Sequence, residues 1–173
     1  MFKICIFGGR GAGKDTAVEM FKKYLPKPKQ MRLAQYVVNA CKAFGIESPT
    51  RTELVLVGQE IGRKMIDENV WINMAIHDIM SEENNWIVSD CRYMNEYEEL
   101  TKRGFIPILI DCELETRIER VIKRDGSIDM KLLEGESEQT YKLFDYTIRL
   151  DNNGTFEELE EQIHFWATKL GGY

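Results

Sequence analysis

A lysine closing a run of glycines is the first feature of this chain with chemistry in it. Gly8-Gly9-Arg10-Gly11-Ala12-Gly13-Lys14-Asp15-Thr16 follows an apolar run, Phe2 to Phe7, and opens a segment of helical period. Glycines let a backbone wrap closely around an anion with its N–H groups pointed inward. The helix that begins there adds the positive end of its dipole, and Lys14 then reaches the β- and γ-phosphates of a nucleoside triphosphate. The residue after the lysine is Asp15 rather than the usual Ser or Thr, with Thr16 next. A carboxylate is a hard oxygen donor, so Asp15 is a candidate for holding Mg²⁺, directly or through water.

Three further groups carry charge that a phosphate-binding loop can use. Asp90 ends the short apolar run Trp86–Ser89, and Arg92 follows two residues on. Ligands of doubly wound sheets lie at the carboxyl ends of the strands, so Asp90 is expected to face the same crevice as the loop and to orient a metal shell. Arg92 offers a planar fork to an anionic substrate. Arg117, Arg120 and Arg124 recur at i, i+3 and i+7, on one face of a helix opposite Leu114, Ile118, Val121 and Ile122, and precede a polar stretch. That arrangement suits a lid carrying cations over transferring phosphates, and equally a solvated face paired with Glu113, Glu115 and Glu119. Gln59, Arg63, Asp67 and Trp71 mark a fourth segment, with an arginine for a phosphate and an aromatic for a base; core and surface roles fit those residues as well.

The elements that must position these residues alternate between short apolar runs and helical periods, which predicts an α/β fold with a parallel sheet. Strands are expected at Phe2–Phe7, Lys29–Leu33, Trp86–Ser89, Phe105–Ile110 and Tyr146–Leu150. Helices are expected at about Gly13–Tyr24, Ala34–Phe44, Thr50–Met65, Asn69–Met80, Asn95–Arg103 and Glu113–Arg124. Thr50 with Glu53 and Thr155 with Glu158 form capping boxes, the second opening a helix striped by Phe156, Leu159, Ile163, Trp166 and Leu170. Three helices in a row, about 32–82, break the alternation and predict a helical insertion at one sheet edge. The stretch 125–139 is polar and charged and reads as a mobile loop.

Composition limits the partners. The 173 residues suit one domain, 1–173, and 43% hydrophobic with 30% charged is ordinary for a globular chain. The formal net charge of −6 disfavours a nucleic-acid polymer as partner. Cys5, Cys41, Cys91 and Cys112 form no metal or redox spacing, which predicts reduced thiols and a cytoplasmic protein (a host's cytoplasm for a phage-encoded chain). No run approaches the length of a membrane span. The number of subunits stays open, a homodimer included.

With these residues assembled, the chain resembles the phage-type deoxynucleoside monophosphate kinases, among the P-loop kinases of the adenylate-kinase kind. The resemblance rests on Gly13-Lys14-Asp15-Thr16, on Val57-Gly58-Gln59-Glu60-Ile61-Gly62-Arg63 followed by Trp71-Ile72-Asn73, and most specifically on Val88-Ser89-Asp90-Cys91-Arg92-Tyr93-Met94-Asn95-Glu96. Ser137-Glu138 and Asp151-Asn152-Asn153-Gly154-Thr155 are also similar. The chain departs from the family at Met94, where a proline is common, and at Gly135, where a histidine is common. The resemblance implies a three-layer P-loop fold: a five-stranded parallel sheet flanked by helices, a monophosphate-binding helical insertion and a lid at about 113–139. It implies ATP with Mg²⁺ as donor and a (deoxy)nucleoside monophosphate as small-molecule acceptor. Lys14, Arg120 and Arg124 would then neutralise phosphates, with Arg117 a third arginine. Asp15 and Asp90 would manage the metal, and Asn153 would join the loop in binding ATP. Gln59, Arg63, Asp67, Trp71, Arg92, Asn95, Glu96 and Glu138 would hold the acceptor. Other small-molecule kinases, of the phosphomevalonate or dephospho-coenzyme A kind, and a slow nucleotide-hydrolysing switch remain as alternatives.

Overall fold

A computed structural model describes residues 1–130 and 135–171. Five strands, β1 (Lys3–Phe7), β2 (Lys29–Met31), β3 (Trp86–Val88), β4 (Ile106–Asp111) and β5 (Ile148–Asp151), form one sheet in the order β2-β3-β1-β4-β5. Every pairing is parallel. Parallel strands need covering on both faces, and the near-continuous apolar runs of β1 and β4 supply what that requires. Successive residues of β1 point to opposite faces. Ile4 and Ile6 join Ala17, Val18, Phe21, Leu159 and Ile163 beneath α1 (Lys14–Tyr24) and α8 (Phe156–Lys169). Cys5 and Phe7 pack on the other face with Ile72, Ala75, Ile79 and Leu100 of α4 (Val70–Ser81) and α5 (Met94–Lys102). The result is the expected three-layer α/β architecture.

The helical insertion lies where three successive helices were expected, but the middle one is wound differently. After α2 (Leu33–Ala43), the capping box of Thr50 and Glu53 starts α3 (Arg51–Val55). The chain then continues as a π-helix, Leu56–Ile66, rather than as an α-helix to Met65. Gly58 and Gly62 are the physical reason: both are poor α-helix formers, and both let neighbours approach. A side chain at Gly62 would collide with the Trp71 indole, and one at Gly58 would press on Val37. The wider turn sets Gly58, Gln59 and Arg63 along the lining of one cavity.

Two other expectations are corrected. In α6 (Leu114–Asp125) the apolar stripe faces inward only in part: Val121 is buried as expected, but Leu114 and Ile122 are exposed and Arg117 is buried in their stead. The helix packs against the glycine loop, whose backbone accepts a guanidinium more readily than an isoleucine. Part of the polar stretch 125–139 is helical, as α7 (Glu136–Thr140), followed by a 3₁₀ turn at Tyr141–Leu143; residues 131–134 of the expected lid lie outside the described residues. The Thr155–Glu158 capping box is present, but Phe156 is half-exposed. All four cysteines are free and buried. Among the described residues no helix is long and apolar enough to cross a membrane.

Candidate active site

The carboxyl ends of β1, β3, β4 and β5 lead directly into Gly8, Ser89, Cys112 and Asn152, so the crevice is built from strand ends. The loop after β1 is held in a conformation that side chains resist. Gly11 (φ +83°) and Gly13 (φ +92°) are left-handed, and Gly13 stands at the N-terminus of α1. A Cβ on Gly11 would lie 2.7 Å from the Arg117 carbonyl oxygen, and one on Gly13 would strike the Asn152 amide. Asn152 is buried and donates from Nδ2 to the Ala12 carbonyl at 2.7 Å. The loop is therefore a backbone cradle fixed from behind by α6 and by the end of β5, and a nucleoside triphosphate fits it.

Lys14 Nζ donates to the carbonyls of Gly8 (2.7 Å) and Gly9 (2.9 Å), at the centre of the cradle. Burial, then the nearby Arg92 guanidinium, pull its pKa from 10.5 down to about 8, against opposing help from Glu138 and Asp15. An ammonium held in this state gains most when an anion arrives.

Arg117 and Glu138 form a buried ion pair behind the loop, at 3.1 Å. Both Glu138 carboxylate oxygens accept from the Arg10 N–H, at 2.9 and 3.0 Å, and the Arg117 guanidinium lies against Gly9. Glu138 thus braces the glycine loop and does not line the neighbouring cavity with the other residues expected to hold an acceptor. Buried Nε atoms of Arg10 and Arg117 have no hydrogen-bond partner. Arg120 Nη1 donates to the Asn152 carbonyl at 2.9 Å. Arg124 is 60% exposed and rests on Asp125, which also takes Arg10. The three arginines therefore divide into a buried brace, a half-buried strut and an exposed arm instead of acting as one array. Asn153 Oδ1 accepts from the Glu113 N–H at 2.7 Å, tying the β5 end to the start of α6.

Beside the loop lies a cavity of about 300 Å³. One wall is apolar, from Leu33, Val37, Val38, Leu54 and Val55; the other carries Gln59, Arg63, Arg92 and Asp90. Arg63 pairs with buried Glu96 and lies over the Tyr93 ring, 4.2 Å from its centroid. Glu96 also accepts from the N–H groups of Arg92 (2.7 Å) and Tyr93 (3.0 Å), and burial still holds its carboxyl above the ordinary range. Gln59 Nε2 donates to the Tyr93 hydroxyl at 2.8 Å. Asn95 joins Glu68 and Asn69, fixing the start of α4 against α5.

Two expected roles change here. The Trp71 indole is buried and donates to the Gly58 carbonyl at 2.9 Å, so it supports the π-helix and lines the wall rather than offering an open stacking face. Asp67 accepts from the Asn69 N–H at 2.8 Å and shapes the turn into α4, outside the cavity lining.

The two candidate metal ligands differ. Asp90 accepts from the N–H groups of Leu33 (2.8 Å) and Ala34 (2.9 Å), which makes it the anchor of the α2 N-terminus; burial raises its pKa against those two bonds and the Arg92 and Arg32 charges. Asp15 is 79% exposed and paired with Arg32 at 2.9 Å. No group of three or more His, Cys, Asp or Glu stands ready as a metal cage among the described residues. Asp15 beside a phosphate cradle nevertheless fits Mg²⁺, which takes one carboxylate, phosphate oxygens and waters.

Arg32, Asn152 and the apolar wall were not singled out from sequence. Asn152 follows the end of β5, the placement that drew attention to Asp90, whereas Arg32 fell inside the expected strand Lys29–Leu33 and stands at a strand end only because β2 stops at Met31.

No protein-family model matches the sequence, and comparison with curated proteins gives no match. Solved structures do resemble it. TT1252 from Thermus thermophilus aligns with a TM-score of 0.66 at 19% identity, over 99% of this chain and 100% of that one. A shikimate kinase from Bacteroides thetaiotaomicron gives 0.60 at 18%, over 98% of both chains. A gluconokinase from Sinorhizobium meliloti gives 0.59 at 16%, over 98% of this chain and 93% of that one. At these identities the likeness is one of fold: the chain shares its parallel α/β architecture with the shikimate kinase and the gluconokinase.

Proposed function

We propose that this protein transfers the γ-phosphoryl group of ATP to a (deoxy)nucleoside monophosphate, giving ADP and the diphosphate. The observation that carries the reading is the mixed cavity of about 300 Å³ beside the glycine loop, lined by Leu33, Val37, Val38, Leu54 and Val55 together with Arg63 and Arg92. An acceptor phosphate is already an anion at neutral pH, so its oxygen attacks the γ-phosphorus without a general base while the bond to the β,γ-bridging oxygen breaks and ADP leaves. The residues need only hold, align and neutralise.

Each part has a group suited to it. Lys14 and the loop N–H groups hold the donor phosphates, and Arg124, free of the core, is placed to swing over them. Asp15 would hold a magnesium ion, with Asp90 ordering its surroundings from the α2 N-terminus, and the ion would supply positive charge to the phosphates. Arg92 meets the acceptor phosphate, while Gln59 and the Arg63–Glu96 pair line the base end.

The gluconokinase and shikimate kinase folds suggest a different acceptor, a neutral hydroxyl. Such an acceptor needs a base, and the two carboxylates that line this cavity are committed: Asp90 to two backbone N–H groups, Glu96 to two backbone N–H groups and Arg63. The test is a coupled ADP-release assay across ribo- and deoxynucleoside monophosphates, with shikimate, gluconate and phosphomevalonate alongside. Turnover that depends on the base of the monophosphate supports the reading; turnover with a hydroxyl acceptor alone sinks it.

A further inference from the structure

One ion pair spans the donor loop and the acceptor cavity. Asp15 sits directly after Lys14, on the first turn of α1, and its Oδ1 accepts from Arg32 Nη2 at 2.9 Å. Arg32 is the residue that caps α2 at its N-terminus, and the next two residues, Leu33 and Ala34, line the cavity while Asp90 holds their N–H groups. The backbone of Arg32 is therefore fixed at the cavity mouth. Its side chain is not: Arg32 is 53% and Asp15 79% exposed. An exposed pair of this kind is weak and readily exchanged.

We propose that the Asp15–Arg32 pair is a charge latch that couples occupation of the donor site to binding of the acceptor. This rests on the nucleoside monophosphate reading above. With the donor site empty, Asp15 neutralises Arg32 and holds its guanidinium at the loop. Asp15 is also the carboxylate best placed for a magnesium ion, a small hard cation that competes for the same oxygen. Once the carboxylate turns to the ion, the guanidinium is released beside the cavity that Leu33, Ala34 and Arg92 border. There it meets the second anion, whose approach to the donor phosphates is otherwise opposed by like charge. Because coupling between two sites is reciprocal, the acceptor must tighten the metal–nucleotide by the same factor.

The experiment is calorimetric titration of the four common deoxynucleoside monophosphates into the full chain, alone and with Mg²⁺ plus a β,γ-imido analogue of ATP. The best binder is then carried into variants. For the wild type the analogue with Mg²⁺ should tighten the monophosphate by about tenfold, within the ordinary range of such couplings. In Arg32→Gln the coupling should fall below about twofold while affinity for the empty protein stays unchanged, and Arg32→Lys should restore part of it. Asp15→Asn should bind the monophosphate without metal about as tightly as the wild type does with it. Thermal melts of the variants check that the fold is intact, as expected for exposed side chains. Coupling that survives in Arg32→Gln, or an Asp15→Asn protein that binds no tighter, overturns the latch alone. If no monophosphate binds the wild type, the nucleotide reading falls and the latch with it.

Discussion

The donor cradle and the acceptor cavity lie side by side, and they are built from different material. The cradle is backbone: left-handed Gly11 and Gly13, with Arg117, Asn152 and Glu138 packed close behind. The cavity is side chain: valines and leucines on one wall, and guanidiniums placed by a π-helix and a buried ion pair on the other. A backbone site admits few sequences and binds a group common to every nucleotide. A side-chain site can change its residues one at a time and so can change its acceptor. On the proposed reading, recognition of phosphate is over-determined and recognition of the acceptor is tunable.

Breaking the cradle should produce the largest effect. Gly13→Ala puts a Cβ into Asn152 at a left-handed φ, and nucleotide affinity measured with a fluorescent ATP analogue should fall about a hundredfold or more. Gly45 is equally left-handed (φ +83°) but a Cβ there meets nothing within 4 Å, so Gly45→Ala should cost only about 1 kcal/mol of stability and leave binding alone. Equal effects of the two would mean that strain, not the cradle, governs the loop. Lys14→Ala should come next, lowering kcat by about 10²- to 10³-fold with the melting curve unchanged, since the charge acts on the transition state. Near-normal turnover in a folded variant would remove Lys14 from the reaction.

The acceptor side should respond through stability as well as binding. Arg63→Ala strands Glu96 in the interior, and loss of one partner of a buried pair costs about 3–5 kcal/mol. Denaturant unfolding reads this directly; a cost under about 1 kcal/mol would show that the pair is better solvated than its burial indicates. Arg124→Ala, by contrast, should change stability by less than about 0.5 kcal/mol, because the side chain is exposed, whatever it does to kcat.

The pH dependence sharpens the same contrast more gently. Lys14 has a pKa of about 8 in the ligand-free fold, and an anion favours its charged form. Nucleotide affinity should be level below pH 7.5 and decline above about pH 8, by at most about tenfold per unit, as the bound state must take up a proton. The effect on folding has the opposite sign. The unfolded lysine, at 10.5, keeps its proton after the folded one has lost it, so the contribution of Lys14 to stability rises between about pH 8 and 10.5. Lys14→Met should flatten both curves; an unchanged affinity profile in that variant would assign the pH dependence to another group.

Much of this was legible in the chain. The glycine loop announced itself because strand, glycines, lysine and helix must be contiguous for the cradle to form, and the two capping boxes are spaced within one helical turn. The five strands could be read because a parallel sheet buried on both faces demands unbroken apolar runs such as Phe2–Phe7 and Phe105–Ile110. The face of α6 could not be read. Hydrophobic periodicity favours burying Leu114 and Ile122, and nothing local says that the surface awaiting the helix is a polar loop that takes Arg117. Glu138 was misplaced for a related reason: its partner is a backbone N–H 128 positions away, and a backbone N–H leaves no mark on the sequence.

The amino-acid sequence by itself therefore determined the sheet, its covering helices and the glycine loop between β1 and α1, since each rests on contacts between near neighbours or on a periodicity set by burial. Only the tertiary structure decided how the charges are shared out. It gave Asp90 to the α2 N-terminus, Glu138 to the loop, Arg63 to Glu96 and Arg32 to Asp15. Each contact depends on groups meeting in space, two as carboxylates on backbone N–H groups and two as ion pairs, across 57, 128, 33 and 17 positions of chain.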